Sequence, residues 1–331
     1  MKALITGGAG FIGSHLSEEL LSRGQEVIAF DDLSTGILSN VAHLQDAPGF
    51  SFYRGSILEP SDLSGLIEQA DLVYHLAAAV GVRYVLEHPV AALETNARGT
   101  ENVLRLAKEH GGKKVILASS SEVYGKTSKI PFREDDDTVL GPTSVSRWGY
   151  SCSKALDEFL ALAYHREKGL PAVVLRFFNI VGPRQSGRYG MVMPRFVSQA
   201  LAGDHITVYG DGEQMRSFTY VKDVVKAMAD IALVPSAEGQ VFNIGSDREI
   251  TINDLAQLVR RVLKSGSEII HIPFSEVYGS DFEEASRRLA DISKIKKYIS
   301  YHPNTDLAFI VSGVASSLRA TGGAYEQPAL E

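Results

Sequence analysis

Short apolar runs alternate with longer amphipathic stretches through the first half of the chain. Met1–Ile5, Val27–Phe30, Phe50–Tyr53, Asp71–Leu76, Lys114–Ala118 and Ala172–Phe177 have the length and composition of buried strands. Between them, apolar residues recur every three or four positions in the segment from Ser14, in Pro60–Gln69, from about Pro89 to His110 and in Tyr150–Lys168, a helical period. Strand and helix in strict alternation predict an α/β fold, a doubly wound parallel sheet with helices on both faces. After residue 177 the loops lengthen around Gly182-Pro183, Gly187, Gly190 and Gly210-Asp211-Gly212. A smaller mixed α/β region is expected there. Its elements are helix Pro194–Ala202, strand Ile206–Tyr209 and helices Val221–Leu233 and Ile252–Val262. The expected division is residues 1–176 with 214–240 returning, a second unit of 177–213 and 241–320, and a tail over 321–331.

The turn after the first strand narrows the reading. Thr6-Gly7-Gly8-Ala9-Gly10-Phe11-Ile12-Gly13 carries the G-x-x-G-x-x-G spacing of a dinucleotide loop between a strand and a helix. Gly7 permits the tight turn, Gly10 a close approach of pyrophosphate to the backbone, and Gly13 close packing of helix on strand. Phe11 and Ile12 place backbone N–H groups at the positive end of the helix. Asp31 ends the second strand, with Asp32 beside it. There a carboxylate accepts from a ribose 2′-hydroxyl and repels a 2′-phosphate, favouring NAD over NADP, unless the pair merely caps a solvent loop. This is the Rossmann arrangement.

Composition changes little. The chain has 331 residues, 44% hydrophobic and 22% charged, with a net charge of −7, which offers no footprint for nucleic acid. No apolar run reaches the roughly 18 residues of a membrane span. The N-terminus enters its strand at once, so no signal peptide is expected, and a single cysteine, Cys152, excludes an intrachain disulfide. A cytoplasmic location is expected. No Cys/His cluster has zinc-ligand spacing, and no metal is expected.

Candidate chemistry lies where polar side chains follow strands, because ligands of open parallel sheets bind at the carboxyl ends. Ser119-Ser120-Ser121-Glu122 follows the fifth strand. Tyr150 and Lys154 share a helix face, and an ammonium beside a phenol stabilises the phenolate, bringing a group of pKa near 10 toward use as a base. Tyr164 and Lys168 repeat the spacing about 21 Å further along the helix and read as packing and solvated surface. Cys152 falls on another helix face and reads as a small packing residue. Asn96 either reaches the crevice or is a buried structural amide. Arg184 and Arg188 are either ligands or solvated loop charges. His15 and His75 read as structural.

Taken together, Gly7–Gly13, Asp31-Asp32-Leu33-Ser34-Thr35-Gly36, His75-Leu76-Ala77-Ala78, Ser119–Gly125, Tyr150/Lys154, Arg176–Asn179 with Gly182-Pro183-Arg184, and Ala290–Lys294 resemble an extended short-chain dehydrogenase/reductase that modifies nucleotide sugars. The resemblance covers about residues 1 to 300. It implies tightly held NAD, a UDP- or dTDP-sugar and a dimer joined through two helices per subunit. It places Ser34, Thr35, Gly36, Leu76, Ala77, Ala78, Ser56, Ile57 and Asn96 around NAD, with Ser56 standing where family members have Asp on the adenine amine. Ser120-Ser121-Glu122 is similar to the Thr-Ser-Glu of UDP-glucuronate decarboxylases, as are Val139–Pro142 and Arg147–Tyr150. Arg288 matches their substrate-facing arginine. Asn179 and Arg216 match phosphate contacts, although Asp211 and Glu213 are also near enough for Arg216 to pair with. Thr207 and Tyr209 lie on a strand resembling the one that meets uracil. The implied reaction is oxidation of sugar C4, loss of carbon dioxide and release of UDP-xylose or its 4-keto precursor. A 4-epimerase is the alternative, and a non-catalytic NAD-sensing protein a remote one.

Overall fold

The computed structural model describes residues 1–187, 191–278 and 287–320. The expected tail over 321–331, together with Arg188 and Gly190, lies outside the described residues.

The chain runs β1 (Lys2–Thr6), α1 (Phe11–Ser22), β2 (Glu26–Asp31), β3 (Phe50–Arg54), α2 (Pro60–Gln69), β4 (Leu72–His75), α3 (Val82–Glu87), α4 (Pro89–Glu109), β5 (Lys114–Ser120), α5 (Arg147–Lys168) and β6 (Ala172–Phe177). It continues through β7 (Ile180–Val181), α6 (Val192–Ala202), β8 (Ile206–Tyr209), β9 (Met215–Ser217), β10 (Thr219–Tyr220), α7 (Val221–Ile231) and β11 (Gln240–Ile244). The last elements are β12 (Glu249–Thr251), α8 (Ile252–Leu263), β13 (Ile269–Ile272), α9 (Phe274–Tyr278), β14 (Arg287–Arg288) and α10 (Leu307–Ala320).

Seven strands form one parallel sheet in the order β11-β6-β5-β4-β1-β2-β3. Its central strands are apolar on both sides because helices cover both faces. In β1, Ala3 and Ile5 point into the core beneath α1 and α7, and Leu4 into the core beneath α2 and α4. Each such side chain is fully buried and contributes about 1.5–3 kcal/mol of transfer free energy. The order reverses between β1 and β4, so the loops after these two strands diverge and open a crevice at their carboxyl ends.

The chain returns to the sheet later than the sequence suggests. Helix α7 packs on α1, with Arg23, just past the end of α1, 2.6 Å from Asp230. Strand β11 then extends the sheet beside β6, from Gln240 to Ile244, so the returning segment runs past residue 240. The run Val241-Phe242-Asn243-Ile244 is broken by an asparagine and lacks the unbroken apolar pattern of a strand such as Val27-Ile28-Ala29-Phe30. The smaller region consists of β12-β9-β14, β8-β13 and helices α6, α8 and α10. Helix α5 begins at Arg147, so Tyr150 stands one turn inside it rather than at its start.

Candidate active site

A cleft of about 650 Å3 runs from the glycine turn to the smaller region, within the size range of small-molecule sites. Gly7, Gly10, Phe11, Ile12 and Gly13 line one end. A Cβ on Gly13 would come 2.2 Å from the carbonyl oxygen of Gly7, and one on Gly7, whose φ is +72°, would come 2.8 Å from the Ala77 nitrogen. The backbones therefore approach as closely as hydrogen atoms permit. No side chain caps the start of α1, which leaves its first N–H groups directed at the cleft for an anion.

Asp31 lies at the edge of the same space, only 7% exposed, accepting from Ala9 N–H at 3.0 Å and Leu33 N–H at 2.8 Å. Burial outweighs these two bonds, and its carboxyl sits above its ordinary range. Gly36 packs against it; a Cβ there would meet the carboxylate oxygens at 2.6 and 2.7 Å. Asp32 is exposed and accepts from Ser34 N–H and Oγ–H at 2.8 and 2.6 Å. Ser34, Thr35, Ile57, Leu76, Ala77 and Ala78 also line the cleft. Glycines without room for a Cβ, an uncapped helix start and a ribose-ready carboxylate together fit NAD.

Three expected contacts are corrected. Ser56 does not line the cleft; its Oγ accepts from Leu58 N–H at 3.2 Å in a local turn, and its neighbours Gly55 and Ile57 face the space. Asn96 is 1% exposed and behind the wall. It accepts from Ala79 N–H at 2.8 Å and donates to Ser153 Oγ at 3.0 Å, so it fixes the loop after β4 against α5. Thr207 is used up by the fold: it bonds Arg195 through its hydroxyl and carbonyl oxygens, and exchanges hydrogen bonds with the Gln199 amide at 2.9 and 3.1 Å.

The middle of the cleft brings Tyr150, Lys154, Ser120, Ser121 and Glu122 together. Ser120 ends β5, lines the cleft with Tyr150, and its Oγ accepts from Glu122 N–H at 3.2 Å. Glu122 is held between two guanidiniums, hydrogen-bonded to Arg288 and 3.6 Å from Arg147. Burial pushes its carboxyl up, but the two cations win and hold it below its ordinary range.

Lys154 lines the same cleft as Tyr150, and its Nζ lies 3.0 Å from Asp157 Oδ2. Burial foremost, then the charges of Glu122 and Asp157, push the Tyr150 phenol above its ordinary range. The phenol is therefore protonated in the ligand-free protein. The duplicate pair behaves as expected: Lys168 stacks 4.3 Å over the Tyr164 ring at the far end of α5.

Arginines converge on the remaining wall. Arg216 and Arg288 are register partners on β9 and β14, both about 8% exposed and both lining the cleft. Burial, then Arg288, pushes Arg216 down to about 10. Asp211 and Glu213 do not pair with it; they cap the 211–213 turn and hold Asn253. Asn179, at φ +35°, lines the cleft and donates to Ser217 O at 3.0 Å. Arg184 reaches the cleft as well, anchored bidentately to Glu18 at 3.0 and 2.9 Å. Arg195 was missed. It is 4% exposed and its guanidinium lies 3.9 Å over the Tyr209 ring. The signal was present: an arginine among Met193, Phe196 and Val197 on a buried helix needs a polar purpose.

Cys152 is exposed rather than packed. His75 is structural as expected, held between Thr6 and Thr100 hydroxyls at 2.8 and 3.1 Å, and burial with the Lys154 charge pushes it down to about 3. Among the described residues no His/Cys/Asp/Glu group could hold a metal, and no helix is long and apolar enough to cross a membrane.

Comparison with known proteins agrees with this geometry. The NAD dependent epimerase/dehydratase family matches residues 3–245. The UDP-N-acetyl-alpha-D-glucosaminuronate decarboxylase of Bacillus cytotoxicus is 45% identical over 92% of this chain and 93% of its own. UDP-glucuronic acid decarboxylase 1 of Arabidopsis thaliana is 36% identical over 93% of this chain and 67% of its own. Among solved structures, UDP-glucuronic acid 4-epimerase from Bacillus cereus, bound to UDP-glucuronic acid and NAD, is 30% identical. It covers 97% of this chain and 100% of that one with a TM-score of 0.86.

Proposed function

Because the chain belongs to the NAD dependent epimerase/dehydratase family, we propose that it is an NAD-dependent decarboxylase of UDP-glucuronic acid that yields UDP-xylose or UDP-4-keto-xylose. One observation carries this: Glu122, clamped by Arg288 and Arg147, stands in the same cleft as Tyr150 and Ser120. Guanidiniums at the reacting end of a sugar site suit a substrate with its own carboxylate.

Tyr150 oxygen takes the proton of the C4 hydroxyl as C4 becomes a ketone. Bound NAD+ supplies a positive ring that favours the phenolate and accepts the electron pair leaving C4, which it later returns. The ketone is β to the C6 carboxylate, so the C5–C6 bond breaks, carbon dioxide leaves and its electron pair moves into a C4 enolate. Ser120 or Ser121 donates to that oxygen. Glu122 steers a proton to C5, and Arg288 binds the carboxylate before it is lost. Finally C4 is reduced and Tyr150 returns the proton to its oxygen. Lys154 and the glycine turn hold the cofactor. Asn179, Arg216 and Arg195 serve the diphosphate, and Tyr209 the uracil.

A homodimer accompanies this reading. Cys152, Leu156 and Phe159 form one exposed stripe on α5, beside Val90 and Leu93 on α4; Val90 and Phe159 are 69% and 68% exposed. A patch of this kind marks a protein contact, and we assign it to a second copy in the cytoplasm.

The test is to incubate the protein and NAD with UDP-glucuronic acid and, separately, with its 2-acetamido counterpart, following carbon dioxide and product NMR. The relatives differ at sugar C2, so both are assayed. Gas with a pentose product is expected. An epimer that keeps its carboxylate, with no gas, overturns the assignment in favour of a 4-epimerase.

A further inference from the structure

The Lys154 ammonium, in the cleft wall, is paired with a buried carboxylate. Lys154 and Asp157 side chains are 4% and 0% exposed, and the second carboxylate oxygen of Asp157, Oδ1, is buried without a hydrogen-bond partner. Packing alone is a poor explanation for such a group. A buried charge pair with an unsatisfied oxygen is often no better for stability than an apolar replacement.

The surrounding charges leave Asp157 a distinct role. From α4, the Thr100 hydroxyl is hydrogen-bonded to His75 Nε2 at 3.1 Å, and Asn96 is committed to Ala79 and Ser153. From β4, His75 is neutral. On α5 the neighbouring Glu158 is cancelled by Arg176 of β6, bound at 2.7 Å, and accepts from Ser119 of β5. In the turn after β5, Glu122 is cancelled by Arg288 and Arg147. Tyr84 of α3 packs near Tyr150 as a neutral ring. Asp157 is therefore paired with one cation, Lys154, which lines the cleft together with Tyr150, and its charge acts on that phenol.

Resting on the reading of Tyr150 as proton acceptor, we propose that Asp157 is a positioning residue: it anchors the Lys154 ammonium and sets the pH at which Tyr150 gives up its proton. Its negative charge opposes phenolate formation directly and offsets the lysine charge that favours it. Asn at this position keeps an oxygen for Lys154 Nζ, places an amide where Oδ1 now lacks a partner, and removes only the charge.

The experiment uses Asp157→Asn in two readouts. In the protein without substrate, ultraviolet titration of phenolate absorbance, with the matching Tyr150→Phe trace subtracted, isolates this one phenol. It is expected to ionise about one pH unit lower than in wild type. In the NAD-loaded enzyme the acid limb of kcat/KM moves the same way. Asp157→Ser, which also removes the charge, shifts both readouts in the same direction and carries the test if Asp157→Asn does not fold. An unchanged or raised phenol titration overturns the proposal. Retained turnover in Tyr150→Phe instead overturns the reading of Tyr150, a separate outcome that the substrate-free titration does not depend on.

Discussion

Tyr150 joins two demands that pull apart: it must lose a proton, yet its surroundings hold that proton on. Its ring packs with Ala79 and Val85, so Tyr150→Phe keeps the contacts and removes only the oxygen. Decarboxylation should fall at least about 100-fold with little change in Tm; undiminished carbon dioxide release would count against its role. Glu122→Gln should slow carbon dioxide loss more than C4 oxidation, read from single-turnover absorbance of the reduced cofactor against gas evolved, and equal slowing argues against proton steering. The same residue governs acid stability. Arg288 and Arg147 hold its folded carboxyl below the ordinary range despite burial. Its pairing thus contributes fully above the unfolded value near 4.5 and is lost as pH falls through the lower folded value. Wild type should therefore lose Tm more steeply than Glu122→Gln across that acid window in thermal melts.

At the scale of elements, the site is made by loops that leave parallel strands. The glycine turn is legible in sequence because its constraint is local: the close approach of Gly13 to Gly7 admits no Cβ at 2.2 Å. Gly13→Ala must shift backbone, costing about 1–3 kcal/mol, and should weaken NAD binding measured by calorimetry; unchanged affinity would show that the turn tolerates a methyl. The reactive serines were equally legible, since they follow a strand directly. Asn96 was not. Whether a helix asparagine faces the cleft or the layer behind depends on the rotation of α4 against α5, which periodicity does not give. Thr207 failed for a related reason. Its strand was found, but Arg195 and Gln199, which consume its hydrogen bonds, come from α6 across a tertiary contact.

For the whole molecule, the unpaired stripe on α4 and α5 makes assembly the sharpest expectation. Phe159→Glu places a charge in that stripe and should convert a dimer to monomers in sedimentation, with the NAD site intact by calorimetry. A monomeric wild type would remove the proposal. The first half of the sheet was readable along the chain because its strands and helices alternate with strong periods. In the smaller region α6, β8 and α8 were readable too, but β9, β12 and β14 were not, since they are two or three residues long and gain their meaning only by pairing with one another.

Sequence alone determined the parallel sheet, the glycine cradle, the preference for NAD and the polar triplet Ser120-Ser121-Glu122 where β5 ends, because each is written in contiguous residues with local steric or chemical consequences. Tertiary structure decided the charges. It gave Lys154 to Asp157, Glu122 to Arg288 and Arg147, and set Arg216 beside Arg288 across two strands far apart in the chain. Coulomb interactions depend on distance and burial, and neither can be read from spacing along a chain.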